Sequence, residues 1–232
     1  MRGKATQFDS DNPDVLAAYQ AETNGEYLLA IELYKKALEK DPDLGIVYKH
    51  IGNVYYRLAM LQDAVDYLVK ATEKLPNFPT AWYELGLAYY RQVKIKQGIN
   101  CLHKVLEMDK NFIMAHYWLG IMNSHYGHLR EAKKHYLVVT ENNPDFAIAF
   151  YHLGSINIRL GFYQQAIENL TYVIEKNPDS PSTHCLLGDA YMNLDKRYEA
   201  RKEYQKALAL DPEDRKAKRG LSLLEDFDDV VF

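Results

Sequence analysis

The stretch AWYELGLAYY, residues 81–90, places four aromatic side chains in ten residues. On a helix, Trp82, Leu85 and Tyr89 recur at three- and four-residue spacing and share one face. Tyr83, Leu87 and Tyr90 recur in the same way on a face turned away from it. One face is expected to be core, and the other needs a different role.

Working outward, Gly86 belongs to the series Gly52, Gly86, Gly120, Gly154 and Gly188, spaced by 34 residues. Pro42, Pro76, Pro144, Pro178 and Pro212 keep the same register, with Lys110 in the missing slot. So do Ala30, Ala64, Ala132, Ala166 and Ala200, with Gly98 filling the gap. Three independent series in one register divide the chain into 11–44, 45–78, 79–112, 113–146, 147–180 and 181–214, without insertion. Each segment holds two amphipathic helical runs, for example 80–92 and 96–109, joined by a tight turn. The Pro near the end, as in EKDPD and EKNPD, is expected to stop the second helix because it lacks an N–H. Glycine inside a helix costs about 1 kcal/mol relative to alanine, so five of them cost about 5 kcal/mol. That is comparable to the net stability of a domain. Close approach of a second helix, where no Cβ fits, is the expected compensation.

The pattern AWYELGLAYYRQ…A…LDP resembles the tetratricopeptide repeat (TPR), with Trp, Leu, Gly and Tyr at repeat positions 4, 7, 8 and 11, Ala at 20 and Pro at 32. Position 24 carries an aromatic or Leu, and position 27 carries Ala37, Ala71, Val105, Val139, Val173 and Ala207. The likeness covers 11–214. It is weakest in the first segment, where Asp14, Ala17 and Ala18 replace the Trp-Leu-Gly signature, as expected of a terminal repeat. It implies an all-α, right-handed superhelical solenoid of antiparallel helix pairs. Residues 213–225 place Ala217, Leu221 and Leu224 on one face beneath charge, which suits a capping helix. Residues 1–10 are expected to be flexible.

The same resemblance implies that the first helix of each pair lines a concave groove through positions 2, 5, 9, 12 and 13. Those positions hold Ile46, Lys49, Asn53, Tyr56 and Arg57, then Thr80, Tyr83, Leu87, Tyr90 and Arg91. The fourth repeat supplies Met114, Tyr117, Ile121, Ser124 and His125, and the fifth Ile148, Tyr151, Ser155, Ile158 and Arg159. The sixth supplies Ser182, Cys185, Asp189, Met192 and Asn193. A column of Tyr83, Tyr117 and Tyr151 beside aliphatics, edged by Arg57, Arg91 and Arg159, reads as a binding surface. Tyrosine at positions 5 and 12 and a cation at 13 are also habits of the family. Departures from the pattern therefore say more. Position 6, where Asn is common, holds Leu16, His50, Glu84, Trp118, His152 and Leu186. Position 9 holds Leu87 and Ile121 in the central repeats.

A chaperone-type carboxylate clamp is matched by Lys49 and Asn53 but broken by Glu84, Met114 and Trp118. A ligand carboxylate would meet Glu84 with no cation to balance it, so chaperone-tail binding is not expected. His125 and His128 lie three residues apart without an evident third ligand, and no metal site is expected. His116 and His184 occupy the Trp position and are read as packing residues. The acidic residues are read as a solvated, salt-bridged surface. No phosphate-cradling loop, nucleophile elbow or paired-carboxylate arrangement is present, so neither an enzyme nor a cofactor is expected.

The bulk numbers agree. The 232 residues are 47% hydrophobic and 26% charged, with a net charge of −4. That balance argues against nucleic-acid and anionic-membrane binding, and Glu84 and Asp189 speak against RNA in the groove. Nothing approaches the run of about 18 apolar residues of a membrane span. A cytoplasmic location and two reduced thiols, Cys101 and Cys185, are expected. The segment EDFDDVVF, 225–232, mixes acids with Phe227, Val230, Val231 and Phe232 past the capping helix. It is complementary to a Tyr- and Arg-lined groove, its own or a neighbour's. The expectation is a protein-binding scaffold for a peptide with apolar anchors and some acidic character. It would self-associate through its terminal repeats or through 226–232. The alternative is a regulatory or substrate-recruiting module of a larger enzyme.

Overall fold

The sequence forms thirteen helices in the computed structural model, which describes residues 12–229, with no strand among the described residues. They are α1 (Pro13–Thr23), α2 (Tyr27–Lys40), α3 (Gly45–Arg57), α4 (Leu61–Lys74), α5 (Pro79–Arg91) and α6 (Ile95–Met108). Then follow α7 (Ile113–Tyr126), α8 (Leu129–Asn142), α9 (Ala147–Arg159), α10 (Tyr163–Lys176), α11 (Pro181–Asn193), α12 (Arg197–Leu210) and α13 (Arg215–Asp229). Each 34-residue segment holds one helix pair, closed by a short turn that returns the chain antiparallel. Contacts divide the chain into two compact units, meeting between Ala115 and His116.

The turn inside each pair needs one residue in the left-handed region. Gly25, Gly127 and Gly161 fill it with φ of 81, 90 and 81°. Ala59, Val93 and Asp195 stand at the equivalent positions with φ of 60, 62 and 56°. For a residue with a Cβ this conformation costs about 1–2 kcal/mol, and a β-branched residue such as Val93 is a genuine outlier there.

The second helix ends at one register whether or not proline follows. Asp41, Leu75 and Asp109 all leave the helix with φ between −126 and −140°, although Lys110 follows Asp109 where Pro42 and Pro76 follow the others. Proline is therefore not required for the stop, which the third repeat makes without it. Asp109 turns the chain by accepting the Asn111 N–H at 2.9 Å, as Asp41 does for Asp43 at 3.0 Å.

The mid-helix glycines answer to position 24 of the partner helix. A Cβ built at Gly52 would stand 2.6 Å from Leu68, at Gly154 2.6 Å from Leu170, and at Gly188 2.5 Å from the Tyr204 ring. Position 20 supports the same approach, and Ala30, Ala64, Ala132, Ala166 and Ala200 are fully buried.

The last helix begins at Arg215, where Asp214 Oδ1 accepts the N–H groups of Lys216 and Ala217 at 2.8 and 2.9 Å. It buries Ala217 and Leu224, with Leu221 packed against the same cluster. It runs to Asp229 instead of ending at 225, so the backbone of 226–229 is helical. Residues 1–11, which include the stretch 1–10 expected to be flexible, the side chains of 226–229 and residues 230–232 lie outside what is described.

Candidate functional site

In the first unit, Lys49, Asn53, Tyr56 and Arg57 stand on α3, and Tyr83, Glu84, Leu87, Tyr90 and Arg91 on α5, which touches α3. Lys49 Nζ lies 3.5 Å from Glu84 Oε1, with side chains only 11% and 17% exposed. Burial raises the Glu84 carboxyl above the ordinary range, while Lys49 and the Asn53 amide beside it pull the other way. The second oxygen, Oε2, is buried and accepts no hydrogen bond. The one cation that matched the clamp pattern is therefore turned onto the protein's own carboxylate.

The arginines behave differently. Arg91 Nη1 donates to the Tyr56 carbonyl at 2.9 Å, and its guanidinium sits 4.6 Å from the centre of the Tyr56 ring. Arg57 Nη1 donates instead to the Tyr27 hydroxyl at 3.5 Å, with its guanidinium 6.0 Å from the ring centre. In the second unit Arg159 Nη1 donates to Ser124 Oγ at 3.2 Å. All three are exposed, and each donates to an uncharged group; Arg57 also feels the Glu22 carboxylate, whereas Arg91 and Arg159 have no ion-pair partner among the described residues. Met114 is 39% exposed, and Leu87 and Tyr90 are half-buried.

The position-5 tyrosines pack on the phenylalanine that closes their own repeat. Tyr83 lies 5.2 Å from Phe112 and Tyr117 lies 5.1 Å from Phe146, ring centre to ring centre. Trp118 stands edge-on to Tyr117 at 6.0 Å, and Ile121 is half-buried. Tyr151 and Ile148, the latter 44% exposed, border a cleft of about 390 Å³ completed by Val173 of α10 and by Ser182 and Thr183 of α11. No charged side chain lines it.

Buried acid–histidine pairs went unseen in the sequence. Glu22 and Glu203 are buried, so the acidic residues are not all solvated as expected. Tyr34 donates to Glu22 Oε2 at 2.8 Å, and His50 Nδ1 lies 2.9 Å from the same oxygen. Burial pushes the Glu22 carboxyl up, but His50 and Tyr34 outweigh it, and its pKa falls below the ordinary value. His184 is bonded on both sides, Nδ1 2.6 Å from Glu203 Oε2 and Nε2 3.1 Å from the Pro178 carbonyl oxygen. It is thus a polar bridge rather than the simple packing residue expected. His116 likewise meets His135, Nδ1 to Nδ1, at 3.0 Å. For His116 and His184 the signal was a His at position 4 with a polar residue 19 positions later.

Among the described residues no group of three or more His, Cys, Asp or Glu could hold a metal ion. Burial pushes the Cys101 and Cys185 thiols up to about 12. No helix among the described residues is long and apolar enough to cross a membrane.

Family models for the tetratricopeptide repeat match residues 50–99, 127–181 and 181–214. No curated protein matches the sequence. Among solved structures, YrrB, described as a TPR protein with an unusual peptide-binding site, is 21% identical with a TM-score of 0.76 over 82% of this chain and 97% of that one. MamA from Desulfovibrio magneticus is 22% identical with a TM-score of 0.70 over 74% of this chain and 97% of that one. At such identities the likeness speaks for the fold alone. The 34-residue register, the six helix pairs, five of them packed over a mid-helix glycine, and the family matches lead to one conclusion: the chain belongs to the tetratricopeptide repeat family.

Proposed function

We propose that this protein is an interaction scaffold that holds a peptide segment of a protein partner on its first-helix faces, by apolar anchors rather than by a carboxylate clamp. The cleft beside Ile148 and Tyr151 carries this reading. It is open, about 390 Å³ in volume, and lined without a charged side chain. An apolar side chain seated there gains roughly 25 cal/mol for each Å² removed from water. Lys49 is neutralised by Glu84, which leaves the clamp positions little to offer a ligand carboxylate. Acidic character in the partner would be met by Arg159, on the same helix as Ile148 and Tyr151.

The test is a peptide selection from a random library on the full chain, followed by calorimetric titration of the selected sequences. Peptides with one or two large apolar residues are expected, and Ile148→Glu should weaken their binding at least tenfold, about 1.4 kcal/mol, with helical circular dichroism unchanged. Binding that is indifferent to Ile148→Glu, or selection of peptides without an apolar anchor, refutes the assignment.

A further inference from the structure

The turns inside the second and third repeats carry two features that the cleft at Ile148 does not use. Val93 holds a left-handed turn with φ of 62°, where three other repeats place glycine, and its side chain is 79% exposed. A branched apolar residue there strains the backbone and recovers nothing by burial, so the fold itself gives no reason for it. Arg57 and Arg91, which lead into these turns, have no carboxylate within 4 Å among the described residues and are fixed by Tyr27 and Tyr56. Gln92 Nε2 ties the two turns together by donating to the Leu61 carbonyl at 3.0 Å. Met60, 45% exposed, completes the row. Two exposed cations and two exposed apolar side chains thus share a braced edge: Arg57, Met60, Arg91 and Val93.

We propose that this edge is a second interaction surface, other than the cleft at Ile148, and that it receives the segment EDFDDVVF, residues 225–232, of a second copy of the chain. Charge complementarity selects the occupant. The segment places Glu225, Asp226, Asp228 and Asp229 within five residues, has no Lys or Arg, and intersperses Phe227, Val230 and Val231. Two exposed guanidinium groups on successive repeats suit a segment that presents four carboxylates within five residues. Val93 and Met60 offer the interspersed apolar side chains a contact that is vacant in the single chain. The inference stands independently of the cleft at Ile148.

The experiment uses the full chain and a fluorescent synthetic peptide of residues 222–232. Saturable binding is expected, weakened about tenfold in the Arg57→Gln/Arg91→Gln double variant and weakened by 1 M salt, where screening acts within about 3 Å. Val93→Gly should bind the peptide less well while unfolding at higher urea, a pairing that general destabilisation cannot produce. Ile148→Glu should bind it as the wild type does. Sedimentation velocity should show mass rising with concentration in the wild type and less so in the double variant. Absence of peptide binding, binding unchanged in the double variant, or loss through Ile148→Glu instead overturns the surface. A chain that stays monomeric at every concentration overturns the second-copy occupant.

Discussion

Replacing Gly188 and Gly86 by alanine, one at a time, sets helix preference against packing at a single repeat position. Each replacement gains about 1 kcal/mol of helix preference. The new Cβ meets different neighbours. At 188 it would stand 2.5, 2.7 and 2.8 Å from three ring carbons of Tyr204. At 86 it would stand 3.2 Å from Leu102 Cδ2 and 3.3 Å from the Gly98 carbonyl oxygen. Tyr204 has nowhere to retreat. Its side chain is buried, its hydroxyl donates to Asp189 at 2.8 Å, and the ring also abuts Gly220. Overpacking a filled core costs about 1–3 kcal/mol, and so close an approach to a fixed ring belongs at the upper end. Gly188→Ala should therefore lose about 2 kcal/mol net. In Gly86→Ala a leucine methyl need shift only a few tenths of an ångström, and the net change should stay within about 0.5 kcal/mol of zero. Urea unfolding followed by helical circular dichroism gives both values, with the m-values compared to detect any loss of two-state behaviour. Equal effects in the two variants, or a Gly188→Ala chain as stable as the wild type, would refute the close-approach argument.

Two further changes test the buried charges. Tyr34→Phe removes the hydroxyl that donates to Glu22 at 2.8 Å and should cost about 1.5–3 kcal/mol at neutral pH. Because the folded pKa of Glu22 lies below 4.5, its stabilisation is present above that value and is lost as pH falls through the depressed one. The gap between Tyr34→Phe and wild type should therefore close in acid, and a constant gap would contradict the assignment. Glu84 has the opposite sign. Its folded pKa lies above 4.5, so the folded chain retains a proton that the unfolded chain has released. Wild-type stability relative to Glu84→Gln should then be greatest below pH 4.5 and decline as pH rises through the raised folded value. Parallel pH profiles for the two chains would rule out the buried, strained carboxylate.

The helix pairing was legible in the sequence because the backbone imposes the same demand at every repeat. Where two helix axes approach until a Cβ would strike Leu68, Leu170 or Tyr204, only glycine serves, and the series at 34-residue spacing records it. The turns were less legible. Gly25, Gly127 and Gly161 mark the left-handed position, but Ala59, Val93 and Asp195 adopt it too, since the helices on either side dictate the geometry.

What the residues by themselves determined is the repeat, its helices and which positions face inward, because these follow from period, volume and backbone chemistry. What only the tertiary structure decided is where each charge is spent. Lys49 and Glu84 are 35 residues apart, Tyr34 and Glu22 12, and Arg91 and the Tyr56 carbonyl 35. Whether a cation is neutralised, as Lys49 is, or left open, as Arg91 is, depends on which side chain of the neighbouring repeat comes within a few ångströms of it. Coulomb attraction and desolvation both change steeply over that distance.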